Sequence, residues 1–180
     1  MNEMTAYSHR LKNMLYTAAA FSLILVVCAS YLYQKASPQR LFSDYYQHYN
    51  RQTMRGASDV SALKAAYADS NQKAVIREFE ASPSPEPEEY LLAGIAFLEV
   101  KQPGKAIETF NALIQKNKTT NSDFFEEDAE YYLAMSYLDN REPEKAMPIF
   151  TKIQSNPDNS YNSFVDEWFM LKIRTSIAMK

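Results

Sequence analysis

Tyr90-Leu-Leu-Ala-Gly94-Ile-Ala-Phe97-Leu98 and Glu130-Tyr-Tyr-Leu-Ala134-Met-Ser-Tyr137-Leu138 stand 40 positions apart, and Lys105-Ala106-Ile-Glu-Thr-Phe110 and Lys145-Ala146-Met-Pro-Ile-Phe150 keep the same offset. Each unit runs in one order: a small residue (Gly94, Ala134), an aromatic three later (Phe97, Tyr137), an alanine nine later (Ala106, Ala146) and a phenylalanine four later (Phe110, Phe150). Self-similarity at a fixed offset marks a repeat architecture. The spacing suits two helices in contact, because the small residue lets them approach while the aromatic fills the gap beside the alanine. Lys101-Gln-Pro-Gly104 and Asp139-Asn-Arg-Glu-Pro143 supply the turns between them, with proline in the first turn of the second helix.

This register resembles the tetratricopeptide repeat, whose period is about 34 residues, so an offset of 40 implies an insertion of about six. The polar run Asn117-Lys-Thr-Thr-Asn-Ser-Asp123 reads as a loop that absorbs it. Repeats are expected over 87–120 and 127–160. A degenerate pair is expected over 58–82, where Lys73-Ala74 aligns with Lys105-Ala106 and Lys145-Ala146. Phe164-Val-Asp-Glu-Trp168-Phe-Met-Leu171 opens a capping helix over 162–179. About three helix pairs are the minimum that buries a continuous core. The match has gaps: the early aromatic is Tyr90 in one unit and Glu130 in the next, and the closing proline has a counterpart only near Pro157. A generic helical bundle with two similar hairpins is the rival reading.

Before the repeats, Asn13 to Gln34 carries no charge. Residues 14–33 have the length that crosses a hydrocarbon core of about 30 Å. Tyr16, Tyr31 and Tyr33 lie near its ends, and Arg10, Lys12 and Lys35 bracket it. A cleaved signal peptide has a shorter apolar core that ends in small residues. The chain therefore divides into an N-terminal tail over 1–13, a transmembrane helix over 14–33, a juxtamembrane linker or helix over 34–57 and a helical domain over 58–180. The expected fold is all-α: one N-terminal transmembrane helix followed by a short α-α superhelix of tetratricopeptide hairpins. A short tail before a large C-terminal domain is the layout of an uncleaved signal-anchor, which in a bacterium puts the domain in the periplasm and the span in the inner membrane. The layout resembles small envelope proteins of the Bacteroidota, whose post-membrane stretch is similar to Leu41-Phe-Ser-Asp-Tyr-Tyr-Gln-His-Tyr49, and less closely the anchored ancillary subunit of the protein-translocation channel. That resemblance implies protein interaction and names no partner.

Composition narrows the function classes. The formal charge is −3, and residues 1–35 are net positive, so the remainder is acidic and shows no basic stripe for nucleic acid. The single cysteine, Cys28, lies inside the apolar run, and the two histidines, His9 and His48, have no partner at metal-binding spacing. There is no glycine-rich phosphate loop and no nucleophile elbow, so no cofactor, metal site or catalytic residue is expected. The acidic clusters Glu86-Pro-Glu-Glu89 and Glu126-Glu-Asp128 fall where helices begin, which negative charge stabilises by roughly 0.3–1 kcal/mol per group.

In tetratricopeptide folds the first helix of each pair lines a concave face. The resemblance puts Leu91, Ile95 and Leu98 there in one unit and Tyr131, Met135 and Leu138 in the next, exposed and apolar. Such a face suits an amphipathic helix or hydrophobic peptide from a protein partner. Two other coverings stay open: packing against the neighbouring repeat, or the chain's own Leu41–Tyr49 segment folded into the groove. Trp168, Phe169 and Met170 read either as a cap or as a docking patch. The expected function is a non-catalytic, membrane-anchored interaction module, with a structural or self-associating, homo-oligomeric envelope component as the alternative.

Overall fold

The computed structural model describes residues 2–49 and 61–179. Among these residues there are nine α-helices and no strand: α1 (Asn2–Lys35), α2 (Pro38–Tyr45), α3 (Ala62–Ala68), α4 (Gln72–Ala81), α5 (Pro87–Glu99), α6 (Pro103–Thr120), α7 (Glu126–Asp139), α8 (Pro143–Ser155) and α9 (Glu167–Ala178). Residues 50–60, on which part of the juxtamembrane segment and the start of the degenerate pair fall, lie outside the described residues.

Helix α1 is continuous for 34 residues, and its window Met14–Tyr31 has a mean hydropathy of 1.9 with none of it buried against the rest of the chain. It is apolar enough to span a membrane. From α3 onward each helix packs on the next, in the order α3, α4, α5, α6, α7, α8, α9.

Three of the helix pairs share one turn. Ser70, Lys101 and Arg141 take φ of 55°, 60° and 61°, the left-handed conformation that ends a helix. In each turn the next residue donates its N–H back five positions: Asn71 to Ala66 (2.9 Å), Gln102 to Phe97 (2.8 Å) and Glu142 to Tyr137 (2.8 Å). A side chain at positive φ costs roughly 1–2 kcal/mol relative to glycine, so the tertiary packing of three pairs imposes the turn on Ser, Lys and Arg.

The turns also correct the alignment of the first pair. Stepping from Lys101 back to Ser70 pairs Val75, rather than Ala74, with Ala106 and Ala146, and it pairs Phe79 with Phe110 and Phe150. Val75, Ala106 and Ala146 are all fully buried, whereas Ala74 is half-buried. The Lys-Ala dipeptide misled because a lysine on the outer face carries no register information.

A second correction concerns the insertion. The polar run expected as a loop from Asn117 continues α6 to Thr120, making it the longest helix of the domain at 18 residues. Thr119 and Thr120 return their hydroxyls to the Lys116 carbonyl, both at 2.9 Å, so polar side chains are satisfied without breaking the helix. The helix stops where Asn121 turns left-handed (φ 51°), and buried Asn117 donates to the Phe124 carbonyl at 2.8 Å to hold the exit.

The acidic clusters lie at helix starts. Glu89 accepts the Glu86 N–H at 3.1 Å, and Glu88 pairs with Lys64 of α3 at 2.5 Å. On α7, Glu127 accepts from the Ser160 N–H and hydroxyl (3.0 and 2.7 Å) and Asp128 from the Tyr161 hydroxyl (2.5 Å), tying the loop after α8 to α7. Burial raises the Asp128 carboxyl above the usual range, with the Tyr161 hydroxyl offsetting part of the rise.

Candidate functional site

Leu91, Ile95 and Leu98 on α5 and Tyr131, Met135 and Leu138 on α7 come together in one apolar face, but none of them is exposed: all six have 0–1% of their surface accessible. This corrects the expectation of an exposed concave face. The reason is the stretch 38–49, which lies in the groove. Helix α2 packs on α7 and α9, burying Leu41 completely and Phe42 almost completely, and Tyr45, Tyr46 and Tyr49 add partly buried rings to the same cluster.

Helix α2 presents its apolar residues inward and leaves Arg40, Ser43 and Asp44 exposed. Serine 37 and Pro38 start it, the proline sitting where a missing N–H costs nothing. Beyond Tyr45 the chain is extended, and its carbonyls are held by phenols. The Tyr131 hydroxyl donates to the Tyr45 carbonyl at 2.7 Å, and the Tyr132 hydroxyl donates to the Gln47 carbonyl at 2.8 Å. Burial pushes both phenols far above their ordinary pKa, so they remain protonated donors.

Two lysines clamp the rings from outside. Lys101 lies 4.6 Å from the Phe42 ring centroid, and Lys172 of α9 lies 4.9 Å from the Tyr45 ring and donates to its hydroxyl at 3.0 Å. Tyr45 also meets Phe169 at 4.4 Å between ring centroids, so the segment is sandwiched between α7 and α9.

At the far end, Phe42, Tyr46, His48 and Tyr49 meet Tyr67, Gln72 and Glu99 around a cavity of about 610 Å3. Glu99 faces exposed His48 at 3.8 Å and accepts from the Gln72 amide. Burial raises its carboxyl above the usual range, opposed by the His48 contact and the two hydrogen bonds. The Tyr46 hydroxyl, buried beside it, has no hydrogen-bond partner among the described residues. Among those residues no three His, Cys, Asp or Glu side chains converge as a metal site requires.

Tyr132, Lys172 and Glu99 were not singled out by the sequence, whereas the Leu41–Tyr49 segment, one of the coverings left open, is the one that fills the groove. The available signal was the density of aromatics in Leu41–Tyr49, too many to leave in water beside an apolar groove. Burying a Leu or a Phe is worth about 1.5–3 kcal/mol each, so displacing α2 costs an incoming peptide about 3–6 kcal/mol, or roughly two to four powers of ten in affinity. The Trp168, Phe169 and Met170 cluster divides: Phe169 and Met170 are buried against the core, whereas Trp168 is 56% exposed.

No protein-family model, no curated protein and no solved structure matches the chain.

Proposed function

We propose that this chain is a membrane-anchored protein-interaction module of tetratricopeptide type, non-catalytic, with its helical domain on the periplasmic side of a bacterial inner membrane. The observation that carries the reading is the shared turn of the three helix pairs, together with an apolar inner face that seats an amphipathic segment. The seated segment is the chain's own, and it has the chemistry a partner would need: a short helix with paired apolar residues followed by an extended stretch whose carbonyls accept hydrogen bonds.

The test is affinity capture of the full chain from detergent-solubilised native membranes, beside residues 1–35 alone and a Leu41→Ser, Phe42→Ser double variant. A protein retained by the full chain and absent from the anchor control supports the module. If the double variant retains more of it, the groove is its site; equal retention assigns it to the outer surface. Identical captures by the full chain and the anchor alone would end the interaction reading. Leu91→Asp and Met135→Asp are unsuitable for this purpose, because both residues are core.

A further inference from the structure

Helix α9 carries two adjoining apolar stripes. Phe169, Met170 and Ile173 point into the core, while Trp168, Leu171 and Thr175, spaced along one face, line a cavity of about 520 Å3 that is closed on its other side by Tyr31, Ala36 and the exposed Asp44, which shares the cavity with Lys172. Trp168 is 56% and Leu171 48% exposed, and Tyr31 is 61% exposed. Tyr31 is the last residue of the apolar window of α1.

That position fixes a depth. A helix rises 1.5 Å per residue, so Ala36, buried against the domain, stands about 7–8 Å beyond Tyr31. A bilayer's headgroup layer is about 5–8 Å thick on each side. With α1 across a membrane, the headgroup layer therefore runs from about Tyr31 to about Ala36, and Trp168 and Leu171 face that layer because they line the cavity that both residues close. Tryptophan and tyrosine favour this layer, where a ring is half in hydrocarbon and its polar edge stays wet. Lys172, 5.5 Å from the Trp168 ring, adds a cation at the level of the phosphates.

We infer that the exposed stripe of α9 is a lipid-docking surface: Trp168 and Leu171 insert into the headgroup and upper acyl region of the membrane that α1 crosses, laying the domain on the bilayer. The inference rests on the reading of α1 as a span. The occupant is lipid rather than protein because the stripe continues the surface of α1 at its water-facing end.

The chain contains its own probes, a single tryptophan at 168 and a single cysteine at 28. Full-length protein is reconstituted into phosphatidylcholine vesicles, some brominated near the headgroup end of the acyl chains and some near the methyl end. Trp168 emission is expected to be quenched about twofold more by the shallow bromines than by the deep ones and to be shielded from aqueous iodide. Leu171→Glu, at an exposed position, is expected to lower the bromine quenching while leaving the helical circular dichroism unchanged. Cys28 tests the span separately: a membrane-impermeant maleimide should label it only after detergent is added. Iodide-accessible Trp168 with protected Cys28 overturns the docking and leaves the anchor standing. Iodide protection without bromine quenching overturns it in favour of a second copy covering the stripe. Labelling of Cys28 in intact vesicles removes the span and the docking together.

Discussion

Helix pairs α5/α6 and α7/α8 occupy the same register 40 residues apart, yet they do different work. Both use the left-handed turn, at Lys101 and Arg141, and both bury the same alanine and phenylalanine, at Ala106 and Phe110 and at Ala146 and Phe150. They part at two places. Gly94 lies so close to the Phe110 ring that an added Cβ would stand 2.5 Å from it, whereas Ala134 accommodates its methyl. Leu91 and Leu92 of α5 are replaced on α7 by Tyr131 and Tyr132, whose hydroxyls hold the backbone of the 38–49 segment. What repeats is packing, and what departs from the repeat is specific: a closer helix approach in one pair, a grip on the 38–49 segment in the other.

The largest expected effect tests whether the two units really share one sealed face. Leu91→Asp and Met135→Asp each place a carboxylate among fully buried neighbours, and each is expected to cost about 3–5 kcal/mol in denaturant unfolding of the full chain. Surface substitutions on an open groove would cost about 0.5 kcal/mol or less, so a small loss at either site would mean that the segment leaves the groove readily. Next comes the glycine. Gly94→Ala is expected to destabilise by about 1–3 kcal/mol through overpacking against buried Phe110, despite alanine's better helix propensity. Phe110→Leu in the same chain should recover part of that loss. The mirror change Ala134→Gly should cost about 1 kcal/mol, mainly from propensity.

How far these features could be read from sequence follows from the kind of physics behind each. Helical character and the apolar stretch of α1 depend on local composition and period, and Gly94, Phe97, Ala106 and Phe110 recur at an offset that needs no partner to be seen. The α4 register did not show, because Lys73-Ala74 imitates the later units while Val75 does the packing. The end of α6 was hidden by polar residues that bond back to their own helix instead of leaving it. The six groove residues were legible as one apolar set and Leu41–Tyr49 as one candidate covering, but the choice among coverings was not, since it depends on contacts such as that between Tyr45 and Tyr131, 86 positions apart. Trp168 and Phe169 are neighbours in sequence with opposite fates, one at the surface and one in the core, which only the phase of α9 decides.

The grip supplied by α7 separates from its packing by removing single hydroxyls. Tyr131→Phe and Tyr132→Phe each delete one donor to a carbonyl of the 45–47 stretch, and each is expected to cost about 0.5–1.5 kcal/mol and to speed amide hydrogen exchange in α2 more than in α6. Tyr46→Phe is the internal control: its hydroxyl is buried without a hydrogen-bond partner among the described residues, so the change is expected to be neutral or slightly stabilising. Equal losses at all three would assign the phenols to shape alone.

The smallest effect concerns charge and again distinguishes the two units. Glu99 on α5 is held above the ordinary carboxyl range, chiefly by burial, while Glu142 at the start of α8 is held below it by hydrogen bonds from Lys145 and Asn140. The signs are opposite. With its folded pKa raised, Glu99 binds more protons folded than unfolded, so its contribution to stability falls as pH rises through the folded value and is regained on acidification toward the ordinary carboxyl range. Glu142 contributes above its unfolded pKa and loses that contribution as pH falls through its folded one. In unfolding titrations from neutral to mildly acidic pH, Glu99→Gln should therefore remove a gain that the unmodified chain shows, and the protection factors of amides around Tyr46–Tyr49, taken relative to the intrinsic exchange rate at each pH, should lose their pH dependence in parallel. Glu142→Gln should instead remove a loss, confined to more acidic solution and without effect on exchange in the groove. If Glu99→Gln leaves the mildly acidic slope unchanged, the carboxylate is hydrated in solution, and the contact between His48 and Glu99 contributes nothing to holding the segment in place.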